Sequence, residues 1–368
     1  MDEYTEVTQR SGCSRFTSSL KDLLLGLLLF LGSFGLLFWN EGRAVKRAQA
    51  LGQGRAGVVT VSPDQIDRAH QDRLVHVSGR ATAGGELRDE EFGVSSPQAL
   101  RLRRAVEMYQ WKESSSSRTR KKPGGGEETI TTYSYEQAWL DRPINSSGFK
   151  DKSHRNPGAF AVQPMTWNAN PVRLGAFTLG AELTSRIDAW QGLPAPVRVP
   201  AGMRVADGGL YKGGSPSSPE IGDLRIRFQA VPATEVSVVA LQFGDSLQPD
   251  PNGVTELALG RKSAEQMFQA MEDENDHSTW NYRLLGFGCM FAGLLFLAEP
   301  VVVLVGALPL LGDLASLGSL LLALVLAVPL TFGTIAVAWM AARPVVGVAF
   351  LALGLLAGVA WMVRPRRA

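Results

Sequence analysis

Only two cysteines occur in the 368 residues, Cys13 and Cys289, so neither a disulfide-stapled scaffold nor a zinc site built from cysteines alone can be assembled. Charge of one sign is missing as well. With 37 basic residues against 35 acidic ones the net charge is +2, so no nucleic-acid partner is expected. The four histidines, His70, His76, His154 and His277, show no HExxH spacing, and none adjoins a cysteine, which leaves a zinc hydrolase without its ligands. No GxSxG elbow is present for a serine hydrolase. Arg261-Lys262-Ser263 lacks the glycines of a phosphate loop. Gly52-Gln53-Gly54-Arg55-Ala56-Gly57 does fit GxGxxG, but it follows a helical pattern and leads into the strand-like Val58–Val61. A dinucleotide fold needs the reverse order, so the stretch is expected to be a flexible joint. Together these absences predict a protein that is not an enzyme and carries no metal and no cofactor.

What is present is apolar residues concentrated in the two ends. Residues 23–39 contain no charge; at ~1.5 Å per residue the run crosses a thin hydrocarbon core. A signal peptide would have a shorter apolar stretch and small residues after it, whereas Trp39-Asn40-Glu41 follow here, so an uncleaved anchor is expected. Between Leu284 and Val363 only Glu299, Asp313 and Arg343 are charged. That length divides into spans at 284–304, 315–340 and 344–363, with an interfacial loop at 305–314 and a kink at Pro329. Four spans put both termini on one side, with 1–22 and 364–368 as short cytoplasmic segments. The flanking positive charges tie: Arg10, Arg15, Lys21, Arg364, Arg366 and Arg367 against Arg43, Lys46, Arg47, Arg55, Arg283 and Arg343.

Residues 40–283 are polar and numerous enough for a core of their own. Residues 223–230 alternate, with Leu224, Ile226, Phe228 and Ala230 on one face, and 235–243 are β-branched and apolar, as in a buried strand. Strands are also expected at 74–80, 102–112 and 128–139. The segment 114–127, SSSSRTRKKPGGGE, is expected to be a mobile hairpin tip. Ser263 and Gln266 fit a capping box opening a helix toward the second span. The fold class is therefore α+β, a β-rich extramembrane domain flanked by one N-terminal and three C-terminal transmembrane helices.

Few polar groups in the membrane part invite a function. Glu299, followed by Pro300, could serve an ion or proton path; the preferred reading puts it at the headgroup level, where Pro300 breaks the helix and 301–311 lies along the interface. Gly354 and Gly358 form a GxxxG pattern that suits either internal packing or an oligomer contact. Asn145-Ser146-Ser147 is a glycosylation sequon with meaning only in a glycosylating lumen. The Tyr109, Trp111, Tyr133 and Tyr135 row reads as core rather than contact surface.

Several blocks resemble a known family. They are Asn40-Glu41-Gly42-Arg43-Ala44, Val61-Ser62-Pro63-Asp64, Arg73-Leu74-Val75-His76, and Leu102-Arg103-Arg104 leading to Val106-Glu107-Met108-Tyr109-Gln110-Trp111. Tyr133-Ser134-Tyr135 through Trp139, Ile144-Asn145-Ser146 to Asn156-Pro157, and Glu220-Ile221-Gly222-Asp223-Leu224-Arg225 complete the set. On these the chain resembles the LUMA family, transmembrane protein 43, over nearly its whole length. The resemblance implies a lumenal domain, cytoplasmic termini, residence in the endoplasmic reticulum and inner nuclear membrane, and association with emerin and lamins. It implies no catalytic residues. The Ser/Gly-rich hairpin tip and Ala/Gly-rich, arginine-ended C terminus depart from the family and suggest a bacterial member, in whose inner membrane the domain would be periplasmic and lamins and emerin absent. The expected role is a membrane scaffold that contacts the bilayer, self-associates as a homo-oligomer or holds other membrane proteins; the rival is an ion conduit or membrane sensor using Glu299.

Overall fold

The computed structural model describes residues 2–10, 12–121, 126–306 and 311–343. In chain order the strands are β1 (Asp2–Arg10), β2 (Val59–Val61), β3 (Leu74–Ala83), β4 (Glu86–Asp89), β5 (Val94–Pro97), β6 (Arg101–Lys121), β7 (Glu127–Leu140), β8 (Met165–Asn168) and β9 (Val172–Leu174). They continue with β10 (Phe177–Leu179), β11 (Gln191–Gly192), β12 (Met203–Ala206), β13 (Gly209–Lys212), β14 (Leu224–Val231), β15 (Thr234–Phe243), β16 (Ser246–Gln248) and β17 (Glu256–Leu259). The α-helices are α1 (Gly12–Gly57), α2 (Ala181–Ser185), α3 (Ala264–Gly306) and α4 (Leu311–Ala342). The chain divides into two compact units.

The first unit, built mainly from Gly52–Ser117 and Ile130–Ala270, contains the sheets apart from the ends of β1, β6 and β7. One sheet runs β1-β7-β6-β14-β13-β12, with β11 on β14 and β8 on β6; the other runs β17-β15-β16-β10-β9-β3-β2 with β15 also against β3. Alternation in β14 puts Leu224, Ile226, Phe228 and Ala230 inside at 0–3% exposure. Burying each of the larger ones stabilises the fold by about 1.5–3 kcal/mol. Across the ladder Ile226 faces Val106 and Leu224 faces Met108, and these join Phe92, Leu102 and Leu210 in one core. In β15, Val236, Val238 and Ala240 are buried and enter the other core with Val75, Val77, Leu174 and Phe177.

The second unit holds α4 and the apolar parts of α1 and α3. Leu37, Met290 and Ala327 form its centre, with Phe30, Phe34, Phe287 and Phe291 around them. Leu28, Leu284 and Val325 stay more than six-tenths exposed on the outside, a surface suited to lipid tails and not to water. Among the described residues three helices are long and apolar enough to cross a membrane, within Ser19–Gly57, Ala264–Val305 and Leu314–Ala342. The span expected at 344–363, with Gly354 and Gly358, lies outside the described residues, as does the tail at 364–368.

Several expectations are corrected. The GxGxxG stretch is not a joint: α1 runs unbroken to Gly57, and Gly54 is where the helix meets the domain. A Cβ on Gly54 would stand 2.9 Å from Val254 Cγ1 and 3.1 Å from Phe268 Cε1, so close packing explains the glycine. Residues 114–121 are not a loose tip but the end of β6. Their short hydroxyl side chains bridge the hairpin, Ser117 to Thr131 at 2.9 Å and Thr119 to Thr129 at 3.1 Å. Pro300 does not end the second span, for α3 continues to Gly306 and Glu299 sits within the helix near its end, half-buried. Neighbouring helices tolerate the one backbone bond a proline removes. The loop expected at 305–314 shrinks accordingly, since 305–306 belong to α3 and 311–314 to α4.

The first 22 residues also differ from a plain tail. Asp2–Arg10 forms β1 on the edge of β7, where Glu6 accepts from Lys150 Nζ at 2.8 Å and Tyr4 lies against Tyr133. Thr, Tyr and Val in that segment favour the extended backbone.

Candidate functional site

Where the apolar part of α1 ends, Asn40 and Glu41 are polar yet 0% and 1% exposed. Buried polar groups must find partners, and α3 supplies them. Arg283 donates from Nε and Nη2 to the two Glu41 carboxylate oxygens at 2.7 and 2.8 Å, a fork-to-fork pair. Asn40 Nδ2 donates to the Thr279 carbonyl at 3.1 Å. Arg43 donates to Asn40 Oδ1 and Thr279 Oγ1, both at 3.2 Å, and Asn275 Nδ2 donates to the Ala44 carbonyl at 3.3 Å. Trp39 meets Tyr282 edge to face at 5.4 Å, and the Arg43 guanidinium lies over the same tyrosine. The result is a polar clamp between α1 and α3. A Cβ on Gly42 would meet nothing within 4 Å, so nothing in the structure explains that glycine.

Farther along the same two helices glycines permit close approach. A Cβ on Gly26 would lie 2.9 Å from the Gly293 carbonyl oxygen, one on Gly293 2.7 Å from the Phe30 nitrogen, and one on Gly286 2.5 Å from Leu37. Sequence reasoning missed this contact, because these glycines are not spaced as GxxxG within one helix; only the facing arrangement reveals it.

The blocks at 106–111, 144–157 and 220–225 meet in the first unit, where β6 passes β14. Met108 is core at 1% exposure. The Gln110 side chain, fully buried, donates to the Arg142 carbonyl at 2.9 Å and accepts from the Ile144 N–H at 2.8 Å, pinning the turn after β7. Asn156 acts as a piece of strand: Trp111 N–H donates to its Oδ1, and its Nδ2 donates to the Trp111 carbonyl, both at 2.8 Å. Gly222, at φ +99, has the left-handed backbone that lets its N–H reach the Tyr109 carbonyl at 2.9 Å. Pro157 packs beside it, 3.2 Å from where a Cβ would be. Asp223 accepts from the Tyr211 hydroxyl at 2.5 Å and the Glu220 N–H at 2.9 Å. Burial, then the bond to this carboxylate, holds the Tyr211 hydroxyl far above its ordinary pKa. Glu107 faces the other side of the sheet and pairs with Arg227 at 3.3 Å.

Of the aromatic row only Tyr135 is fully buried; Tyr109, Trp111 and Tyr133 are half-buried. Tyr135 stacks on His154 at 4.1 Å and donates to Glu113 at 2.6 Å. A second buried histidine, His76, lies 2.9 Å from the Lys262 carbonyl and 3.2 Å from Thr60 Oγ1 and Ser78 Oγ. Burial pushes its pKa below the ordinary value. Lys262 N–H in turn donates to Ser237 at 2.8 Å, just before Ser263 and Gln266 exchange the expected capping-box bonds at 3.0 and 3.2 Å. These bonds hold the start of α3 to β3 and β15. Among the described residues no group of three or more His, Cys, Asp or Glu side chains is placed to hold a metal ion.

Residues 108–344 match the family described as Transmembrane protein 43. The chain is similar to Transmembrane protein 43 of Mus musculus, 35% identical over 365 residues that cover 93% of this chain and 90% of the relative. It is also similar to Transmembrane protein 43 of Homo sapiens, 35% identical over 350 residues covering 90% and 86%. The Transmembrane protein 43 homolog of Drosophila melanogaster is 30% identical over 351 residues covering 90% and 91%. No solved structure matches.

Proposed function

Because the chain belongs to the transmembrane protein 43 family, we propose that it works without catalysis, as a membrane scaffold whose extramembrane domain self-associates or holds other membrane proteins at the bilayer. The observation that carries this reading is the use made of the family blocks. Asn40, Glu41 and Arg43 clamp two membrane helices together. Gln110, Asn156, Gly222 and Asp223 latch loops to strands. Side chains of this kind hold a shape, and a protein whose shape is its product acts by what it assembles.

The domain spanning residues 40–283 is assigned to the side away from the cytoplasm: the periplasm of a bacterial inner membrane, or the lumen if the source is eukaryotic. Strand β1 bears on that assignment. A backbone ladder needs both strands in one compartment, so a single crossing by α1 would part β1 from β7 on insertion.

Purified full-length protein in mild detergent, measured by light scattering across a concentration range, is expected to be larger than a monomer. A monomer at all concentrations, with no partner recovered by cross-linking in the native membrane, would remove the basis of the scaffold. The ion-conduit reading makes the opposite demand: liposome flux that Glu299→Gln abolishes.

A further inference from the structure

In the second unit α3 packs against both other membrane helices. It runs antiparallel to α1, with Gly293 beside Gly26 at one end and Arg283 on Glu41 at the other. Helix α4 turns back along it, and the Thr331 hydroxyl donates to Met290 Sδ at 3.3 Å. Helices α1 and α4 therefore run in the same direction. Between them lies an apolar groove of about 870 Å³, walled by Gly35, Phe38 and Trp39 of α1 and by Pro329, Gly333 and Val337 of α4. The walls are open: Phe38 is 48% exposed, Trp39 53% and Val337 56%. A Cβ on Gly35 or on Gly333 would meet nothing within 4 Å, whereas Gly26, Gly286 and Gly293 are each already met by the facing helix.

The chain leaves α4 at the mouth of this groove. Arg343 is six residues past Val337, about 9 Å along the helix. Pro344 follows, with no N–H to continue the ladder. Residues 344–363 then carry no charge; these 20 residues would make about 30 Å of helix, the thickness of a hydrocarbon core, before Arg364. Ten steps lead from Gly333 to Arg343, and ten more lead from Pro344 to Gly354. A segment that turns back at 343–344 thus brings Gly354 to the level of Gly333 and Gly35. Small residues at one level let helices approach closely, and close packing drives association where water is absent. So short a tether also gives the segment an effective concentration on the order of millimolar, an advantage that no second copy of the chain shares.

We propose that residues 344–363 occupy this groove as a further membrane helix, antiparallel to α1 and α4, and close an up-down-up-down bundle. The occupant is the chain's own C-terminal segment, not a second copy and not a lipid. Closure is independent of the scaffold reading, which places self-association in the extramembrane domain.

The test is disulfide cross-linking of the full-length protein in native membranes, with Cys13→Ser and Cys289→Ala removing the native thiols. Phe38→Cys is combined in turn with a single cysteine at each of positions 346–361. Links within one chain are expected. They should be strongest near Phe350, which the same count brings level with Val337, and fall several-fold by 358–361, about 12 Å deeper. Val337→Cys reports from the other wall and carries the test should Phe38→Cys fail to fold. Gly333→Leu, which fills the groove, should cut the yield several-fold. Gly318→Leu, on α4 outside the groove and with equally open surroundings, should not. Links between two chains would make a second copy the occupant, and no links from either wall would leave the groove to lipid. A yield even along 346–361, or unmoved by Gly333→Leu, would mean that the segment has no fixed seat there. Each of these results overturns the proposal.

Discussion

Arg283→Met removes one arm of the clamp and leaves the other buried. Glu41 is 1% exposed, and both its oxygens accept from Arg283, at 2.7 and 2.8 Å. Without the guanidinium the carboxylate loses both of its donors in a place nearly closed to water. Breaking a buried pair in this way costs about 3–5 kcal/mol. Arg283 itself is 23% exposed, which allows some hydration of the gap and sets the expectation near the lower end, about 3 kcal/mol. Glu41→Gln/Arg283→Met removes the stranded charge as well and should recover about 1–2 kcal/mol of that loss. Arg283→Lys preserves the charge but not the fork and should fall between. Equilibrium unfolding of the detergent-solubilised protein, followed by circular dichroism, measures all three. The reasoning fails if Arg283→Met costs less than about 0.5 kcal/mol, the scale of an exposed pair, or if the double variant is no more stable than the single.

Gly293→Val should drive α1 and α3 apart, since even a Cβ there would lie 2.7 Å from the Phe30 backbone; a thermal midpoint equal to wild type would refute the close contact. Asn156→Ala should destabilise the domain by about 1–3 kcal/mol through the unpaired Trp111 backbone groups, and Asn156→Asp, which keeps only the acceptor, by a comparable amount; unfolding curves that overlay wild type would dismiss the latch. Burial lowers the pKa of His76, so the unfolded chain takes up this proton at a higher pH than the folded one. Stability should therefore be full above the unfolded value of about 6.5 and decline as pH falls from there toward the depressed folded value. His76→Gln should flatten that part of the stability–pH curve, and an unaltered slope would show that the histidine does not cause it.

The parts legible in the sequence were those written in local pattern. Alternation in 223–230 named the inward face of β14, which the structure buries at 0–3% exposure, and the Ser263–Gln266 spacing gave the cap of α3. What stayed hidden depends on partners distant in the chain. Glu41 and Arg283 are 242 positions apart, and Asn156 and Trp111 are 45 apart. No periodicity in either member announces the other. Proline and glycine misled for a related reason: Pro300 and Gly54 carry break signals that packing overrides, so α3 and α1 run on. In the membrane part the close approach of Gly26 and Gly293 joins different helices and leaves no pattern within either one.

The use of a side-chain amide as a surrogate strand has a chemical consequence. Asparagine in an extended or turning backbone is prone to slow hydrolysis, which begins when the nitrogen of the next residue attacks the side-chain carbonyl. At Asn156 that reaction would convert the Nδ2 donor facing the Trp111 carbonyl into an oxygen and push the two apart. The next residue, however, is Pro157, whose nitrogen carries no hydrogen to give up. Besides packing against Gly222, the ring closes that route to loss of the Nδ2 donor.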